Sequence, residues 1–194
     1  MVKRLKLLVG LANPGPEYKN TRHNVGAWFI ESILSEKNST FKFEKKFQAN
    51  YSKISVRGHD VHVLVPQTYM NLSGQSVLAI MNFFKIKAEE TLVAHDDLDL
   101  IPGVAKIKLG GGHGGHNGLK DIMNRINSRD FLRLRIGIGH PGNRNYVSKY
   151  VVQPPNLEDL AKINVSIDNS LNIMDHIVEY QITKAQNTLH SQNK

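Results

Sequence analysis

The 194-residue sequence has no cysteine and a single tryptophan, and aromatic residues make up only 7% of it. Without cysteine, disulfide bracing, thiolate nucleophiles and thiolate metal ligands are excluded, and nothing points to an oxidising compartment. A cytoplasmic location is the expectation. No apolar run approaches the roughly 20 residues that a membrane-spanning helix requires, so no membrane association is expected. The opening stretch through Ala12 joins positive charge to an apolar run. It is too short for a span and lacks a convincing cleavage site before Asn13-Pro14-Gly15, so it reads as a buried strand. The sequence also lacks a G-x-S-x-G elbow, which removes the usual α/β serine hydrolase arrangement. Acids are in deficit, 17 against 25 lysines and arginines, for a net charge of +8. That excess favours a polyanionic partner, and it also fits a protein that is merely basic.

What remains is globular in composition, with 40% hydrophobic and 22% charged residues. There is no internal repeat, low-complexity tract or linker, so residues 1–194 are expected to form one domain. Leu5 to Ala12 is near-continuously apolar, as in a strand buried on both faces. Val25, Trp28, Phe29 and Ile33 recur at helical spacing. Tyr51 to Arg57 and Val61 to Val65 flank Gly58-His59-Asp60 as a hairpin. Ser73 suits a helix N-cap, with Leu72 and Val77 as a hydrophobic staple. Thr91 to Ala94 is a short strand ending at His95-Asp96-Asp97. Val104 to Leu109 alternates, placing Lys106 and Lys108 opposite Ala105, Ile107 and Leu109. A glycine-rich loop and a polar helix follow. Arg133 to Gly139 alternates again, with Arg133 and Arg135 on the polar side. Leu160, Asn164, Ile167, Leu171, Met174 and Val178 lie along one helical face, and Ile182, Ala185 and Leu189 suggest a last short helix. The order predicts an α/β fold: one mixed, twisted sheet with helices on both faces, three layers in all.

The polar residues with chemistry to offer fall at strand ends and in the loops just after them, where α/β sheets build sites. They are histidines, acids and neutral amides. That inventory suits attack by water more than attack by a side chain: histidine takes the proton, a carboxylate fixes its tautomer, and an asparagine amide donates to an oxyanion. Two rival readings arise in Gly110 to His116. The run matches G-x-G-x-x-G, but a strand carrying two lysines precedes it and no ribose-binding acid ends the strand at Arg133–Gly139. His113 and His116, with His95 or Asp96 as a third candidate, suggest a metal site, yet H-x-x-H on a glycine loop lacks the helical spacing of persuasive ligands. No metal and no organic cofactor is expected.

Gly10-Leu11-Ala12-Asn13-Pro14-Gly15, Tyr18 and Thr21-Arg22-His23-Asn24-x-Gly26 open a series of motifs. Pro66-x-Thr68-Tyr69-Met70-Asn71-x-Ser73-Gly74, His95-Asp96-Asp97-Leu98-Asp99, the run Gly110 to Gly118, and Arg133 through Gly142 complete it. In this order, from about Leu5 to about Val152, the sequence resembles the bacterial-type peptidyl-tRNA hydrolases. Beyond Pro155 the likeness is one of helical pattern only. The resemblance implies hydrolysis of the ester that joins a peptide to tRNA, with His23 as general base and Asp96 holding it in its basic form. It implies that Asn13 contacts the peptide end and that Tyr18, Tyr69, Asn71 and Asn117 contact the aminoacyl end of the tRNA. Lys106, Lys108 and Arg135 are candidates for phosphate contacts. The expected partner is peptidyl-tRNA and the expected state a monomer; the alternative function is a non-catalytic basic RNA-binding protein. Taken alone, several of these residues have plainer readings. Asn71 and Asn117 suit a turn and a helix cap, Tyr18 and Tyr69 suit the edge of a core, and the lysines suit a solvated strand face.

Overall fold

A computed structural model describes residues 3–192; Met1 and Val2 of the opening stretch lie outside it. The strands are β1 (Leu7–Gly10), β2 (Lys42–Glu44), β3 (Ala49–Val56), β4 (His59–Pro66), β5 (Thr91–Asp97), β6 (Ala105–Leu109) and β7 (Leu132–Gly137). They form one mixed sheet in the order β2-β3-β4-β1-β5-β7-β6. β1 is parallel to β4 and β5, and β5 is parallel to β7. The β2-β3-β4 meander and the β6-β7 pair are antiparallel. The helices are α1 (Val25–Glu36), α2 (Ser73–Phe84), α3 (Asn117–Ile126), α4 (Val147–Val151), α5 (Leu157–Leu171), α6 (Met174–Val178) and α7 (Ile182–Ser191).

Strand periodicity divides the core into the expected layers. Leu8, Leu92 and Ala94 face α1 and the C-terminal helices, alongside Phe29, Ile163 and Ile177. Leu7, Val9 and Val93, one residue out of phase, face α2 and α3 with Val77, Ile80 and Ile122. The three-layer α/β/α fold therefore follows from apolar side chains on both sides of the central strands.

Several local expectations change. The hairpin turn is Arg57-Gly58, both at positive φ as a two-residue primed turn demands, so His59 and Asp60 already belong to β4. Ser73 does not cap α2: it is the helix's first residue and its hydroxyl donates to the Met70 carbonyl, while Leu72 is partly exposed. The cap comes instead from Asp121 of α3, whose carboxylate accepts the Gly74 N–H at 2.8 Å. The single face drawn from Leu160 to Val178 is broken between α5 and α6. Strand β5 runs on to Asp97, which puts His95 and Asp96 inside the ladder. Leu109 is 53% exposed, because β6 is the sheet's edge and its end is left uncovered.

Candidate active site

His23 lies in a single 3₁₀ turn, Arg22–Asn24, that leads into α1. That helix start is pressed against the ends of β1 and β5. A Cβ on Gly26 would lie 2.3 Å from the Ala94 carbonyl oxygen, and one on Gly10 would lie 2.5 Å from the Gly26 oxygen. The two glycines let backbone meet backbone, which brings His23 to the end of β5. Arg22, buried beside it, donates from Nη1 to the carbonyls of Gln153 and Pro154 and lies over the Tyr150 ring. The loop is thus tied to the segment after α4.

At this junction His23 Nδ1 is 2.8 Å from Asp96 Oδ1. The same oxygen is 2.9 Å from His116 Nε2. His116 Nδ1 accepts the N–H groups of Gly118 and Leu119, so its proton sits on Nε2 and is given to Asp96. His116, not Asn117, is the N-cap of α3. Asp96 is buried, which alone would favour its neutral form, but the charges of His23 and His116 and their hydrogen bonds hold its carboxyl far below the usual carboxylate range. For His23, burial opposes the imidazolium, while the Asp96 charge and hydrogen bond outweigh burial and raise its pKa above the ordinary value. With Nδ1 committed to Asp96, Nε2 carries the lone pair.

Asn13 stands across the site on the loop after β1. Its N–H donates to Asn24 Oδ1, and Asn24 Nδ2 donates back to the Asn13 carbonyl. Asn13 Oδ1 accepts the Met70 N–H at 2.8 Å, leaving the side-chain NH₂ as the group with protons to offer. Tyr18 and Tyr69 meet edge to face at 6.4 Å. Asn71 and Asn117 are exposed, on the turn before α2 and at the first position of α3.

A cleft of about 700 Å³ opens beside these groups, its walls including His23, Asp96, Lys108, His116, Arg133 and Arg135. A smaller hollow near Ile33, Val56 and Met174 carries none of the candidate groups. Along one cleft wall the two basic strands adjoin: Lys106 is paired with Arg135 and Lys108 with Arg133 across the β6-β7 ladder. Lys108 and Arg135 line the cleft, and Lys106 is exposed next to them. Arg135 is held by Asp97 at 2.6 Å. Arg133, expected on a basic surface, is instead buried and donates to the carbonyls of Gly111 and Gly112. The glycine loop folds back over its strand and takes its charge as an anchor.

His23, Asp96 and His116 offer ligand atoms within 4.8 Å of one another. Yet Oδ1 stands 2.8 and 2.9 Å from the two nitrogens, closer than the separation of about 3.3 Å between ligands that zinc bonds of 2.0–2.1 Å impose. The spacing is that of a hydrogen-bonded triad. His113 is not part of it; its Nδ1 accepts the Gly115 N–H. The dinucleotide reading also fails, since the glycine loop follows an edge strand antiparallel to its neighbour, not a strand of a parallel βαβ unit.

Sequence reasoning passed over Asn24 and Met70, weighed His116 only as a metal ligand, and read Arg133 as part of a basic surface. Three of them sat inside quoted motifs, and Arg133 opened another. Their roles depend on which loops meet, which local pattern does not reveal.

Residues 7–194 match the family model described as peptidyl-tRNA hydrolase, beyond the reach of the motifs. A peptidyl-tRNA hydrolase of Pseudoalteromonas translucida is 52% identical, with 96% of this chain and 97% of that protein aligned. One from Actinobacillus pleuropneumoniae is 52% identical over 98% of both chains. The crystal structure of the Acinetobacter baumannii peptidyl-tRNA hydrolase superposes with a TM-score of 0.95 at 43% identity, covering 98% of this chain and 97% of that one.

Proposed function

The chain belongs to the peptidyl-tRNA hydrolase family, and from that premise we propose that it cleaves the peptidyl-tRNA ester with His23 as general base. The observation that carries the assignment is the 2.8 Å bond from His23 Nδ1 to the buried Asp96 at the wall of the cleft. His23 Nε2 takes a proton from water as the oxygen attacks the ester carbonyl. The Asp96 carboxylate stabilises the imidazolium so formed. When the tetrahedral adduct collapses, that proton passes to the departing ribose oxygen, giving a free peptide carboxylate and intact tRNA. The Asn13 NH₂ has the character to donate to the substrate's peptide end, and Tyr18, Tyr69, Asn71 and Asn117 surround the aminoacyl end. Lys106, Lys108 and Arg135 meet phosphates. Like charges set directly opposite one another destabilise a sheet; Asp97 already offsets Arg135, and an anionic ligand would offset the lysines.

Residues 1–194 are read as one such domain, supported by the single sheet and the family match. No helix among the described residues is long and apolar enough to cross a membrane. A cytoplasmic monomer is the state we assign, from the absence of cysteine and the nature of the substrate.

The test is hydrolysis of N-blocked against unblocked aminoacyl-tRNA, with chelator present, by wild type and His23→Asn. Wild type should cleave the blocked substrate preferentially. His23→Asn should lose about 10²–10⁴-fold in kcat with its fold intact, the usual contribution of a positioned base. A folded His23→Asn within a few-fold of wild type removes His23 from this role.

A further inference from the structure

His95 is buried in the wall of the same cleft, and the steps above make no use of it. Its Nδ1 is 2.7 Å from the carbonyl oxygen of Asp96, so Nδ1–H donates to the backbone of the very residue whose side chain holds His23. Its ring stands edge-on to His116, with centroids 5.2 Å apart and planes at 77°. Its Nε2 is buried and has no hydrogen-bond partner among the described residues. Strand alternation sends the His95 side chain to one face of β5 and the Asp96 side chain to the other.

We propose that His95 is a positioning residue: through the Asp96 carbonyl and the edge of His116 it fixes the end of β5 so that the Asp96 carboxylate meets His23. The proposal rests on His23 being the base. A buried acceptor without a partner is a cost to stability, and a phenyl ring would fill the same space without it. What phenyl lacks is the Nδ1–H, and that donor is what the site gains. Without it the Asp96 peptide loses its tether, while a phenyl ring would still offer an edge contact to His116. The charged and titratable groups that share the cleft wall with it are His23 before α1, Asp96 and Asp97 of β5 with Asp99 just after, Lys108 of β6, His113 and His116 before α3, Arg133 and Arg135 of β7, and His140 and Arg144 beyond it. Burial and the neighbouring His116 push His95 down to about 3, so it remains neutral across the working range and acts as a fixed donor.

The experiment compares His95→Phe and His95→Asn with wild type and with His23→Asn, by melting and by kcat and KM across pH. His95→Phe should fold and keep KM. Its kcat should fall about ten- to hundredfold, the scale of a small misplacement. The acid limb of its kcat/KM profile should move to lower pH, because His23 stays buried while its carboxylate partner drifts. In His95→Asn the amide nitrogen takes the place of Nδ1, so kcat and the limb should return close to wild type. A normal kcat and an unmoved limb in His95→Phe overturn the proposal, as does a His95→Asn as slow as His95→Phe. Should His95→Phe not fold, His95→Asn decides alone: near-normal kinetics support the donor role, and a low kcat refutes it. Retained activity in His23→Asn would overturn the base assignment instead, a separate outcome.

Discussion

Asp96 accepts from two histidines through one oxygen, and the two bonds serve different ends. His116 is turned by the N–H groups of α3 so that only Nε2–H can reach the carboxylate, which makes it a fixed support. His23 has no such constraint on its far nitrogen and is the ring free to gain and lose a proton. Replacing Asp96 with asparagine keeps the size of the side chain and removes the charge. Burial then acts on His23 alone, and burial disfavours imidazolium. The acid limb of kcat/KM should therefore shift to lower pH in Asp96→Asn, with a kcat loss smaller than that of His23→Asn. Stability should follow with a definite sign. The raised His23 contributes fully below its unfolded value near 6.5, and this is lost as pH rises through its folded pKa. The depressed Asp96 contributes above about 3.9, and this is lost as pH falls. The melting difference between wild type and Asp96→Asn should thus be largest between about pH 4 and 6.5 and shrink towards pH 8. A limb that stays in place in Asp96→Asn would mean that the pair is not coupled in solution.

At the scale of elements, the His23–Asp96 spacing depends on how closely one helix start approaches two strand ends. Gly26 has no space for a side chain between the Ala94 carbonyl and the backbone of Leu11. Gly26→Ala should displace the start of α1, costing about 1–3 kcal/mol as overpacking does. It should also lower kcat steeply, because the turn that carries His23 moves with the helix. Melting and single-turnover rates check both; an alanine variant with normal stability and rate would show that this contact does not set the His23–Asp96 spacing. Periodicity made the sheet, the layers and most helices legible, since strands such as β1 and β5 bury both faces. The motifs made His23 and Asp96 legible. Other features were not, for physical reasons. Alternation assigns Arg133 to the polar side of β7, but it cannot tell solvent from a glycine loop folded back over the strand. Histidine is a rare helix cap, so residue preference alone points to Asn117 and away from His116. The cap of α2 comes from α3, 47 residues away in sequence, where no local rule looks. Strand β2 is only three residues long, at the sheet edge, with its side chains mostly exposed, and leaves almost no hydrophobic pattern.

For the whole molecule the question is where a net charge of +8 meets a polyanion. Lys106 and Lys108 stand on β6 directly across from Arg135 and Arg133, and two of the four charges have other duties: Arg133 anchors the glycine loop and Arg135 is paired with Asp97. Lys108 lines the cleft, and Lys106 is exposed on the same strand face outside it. A phosphate chain running from the cleft should therefore depend more on Lys108 than on Lys106. Contacts to phosphate strengthen binding to any tRNA without selecting a sequence. Each contributes about 0.9 to the slope of log affinity against log salt on a duplex and about 0.7 on a single strand. Lys106→Ala, Lys108→Ala and Arg135→Ala, measured singly across a salt series, should each raise KM and flatten that slope. Lys108→Ala should have the larger effect of the two lysine variants. Arg135→Ala also leaves Asp97 without its partner, so the lysine variants give the cleaner slopes. Cleavage of a minimal substrate that keeps only the ester end should be nearly unchanged in all three, since none touches the reacting atoms. If every slope equals that of wild type, the ladder is a solvated face and the phosphate site lies elsewhere, with Arg144 at the cleft and Lys120 on α3 the next residues to change.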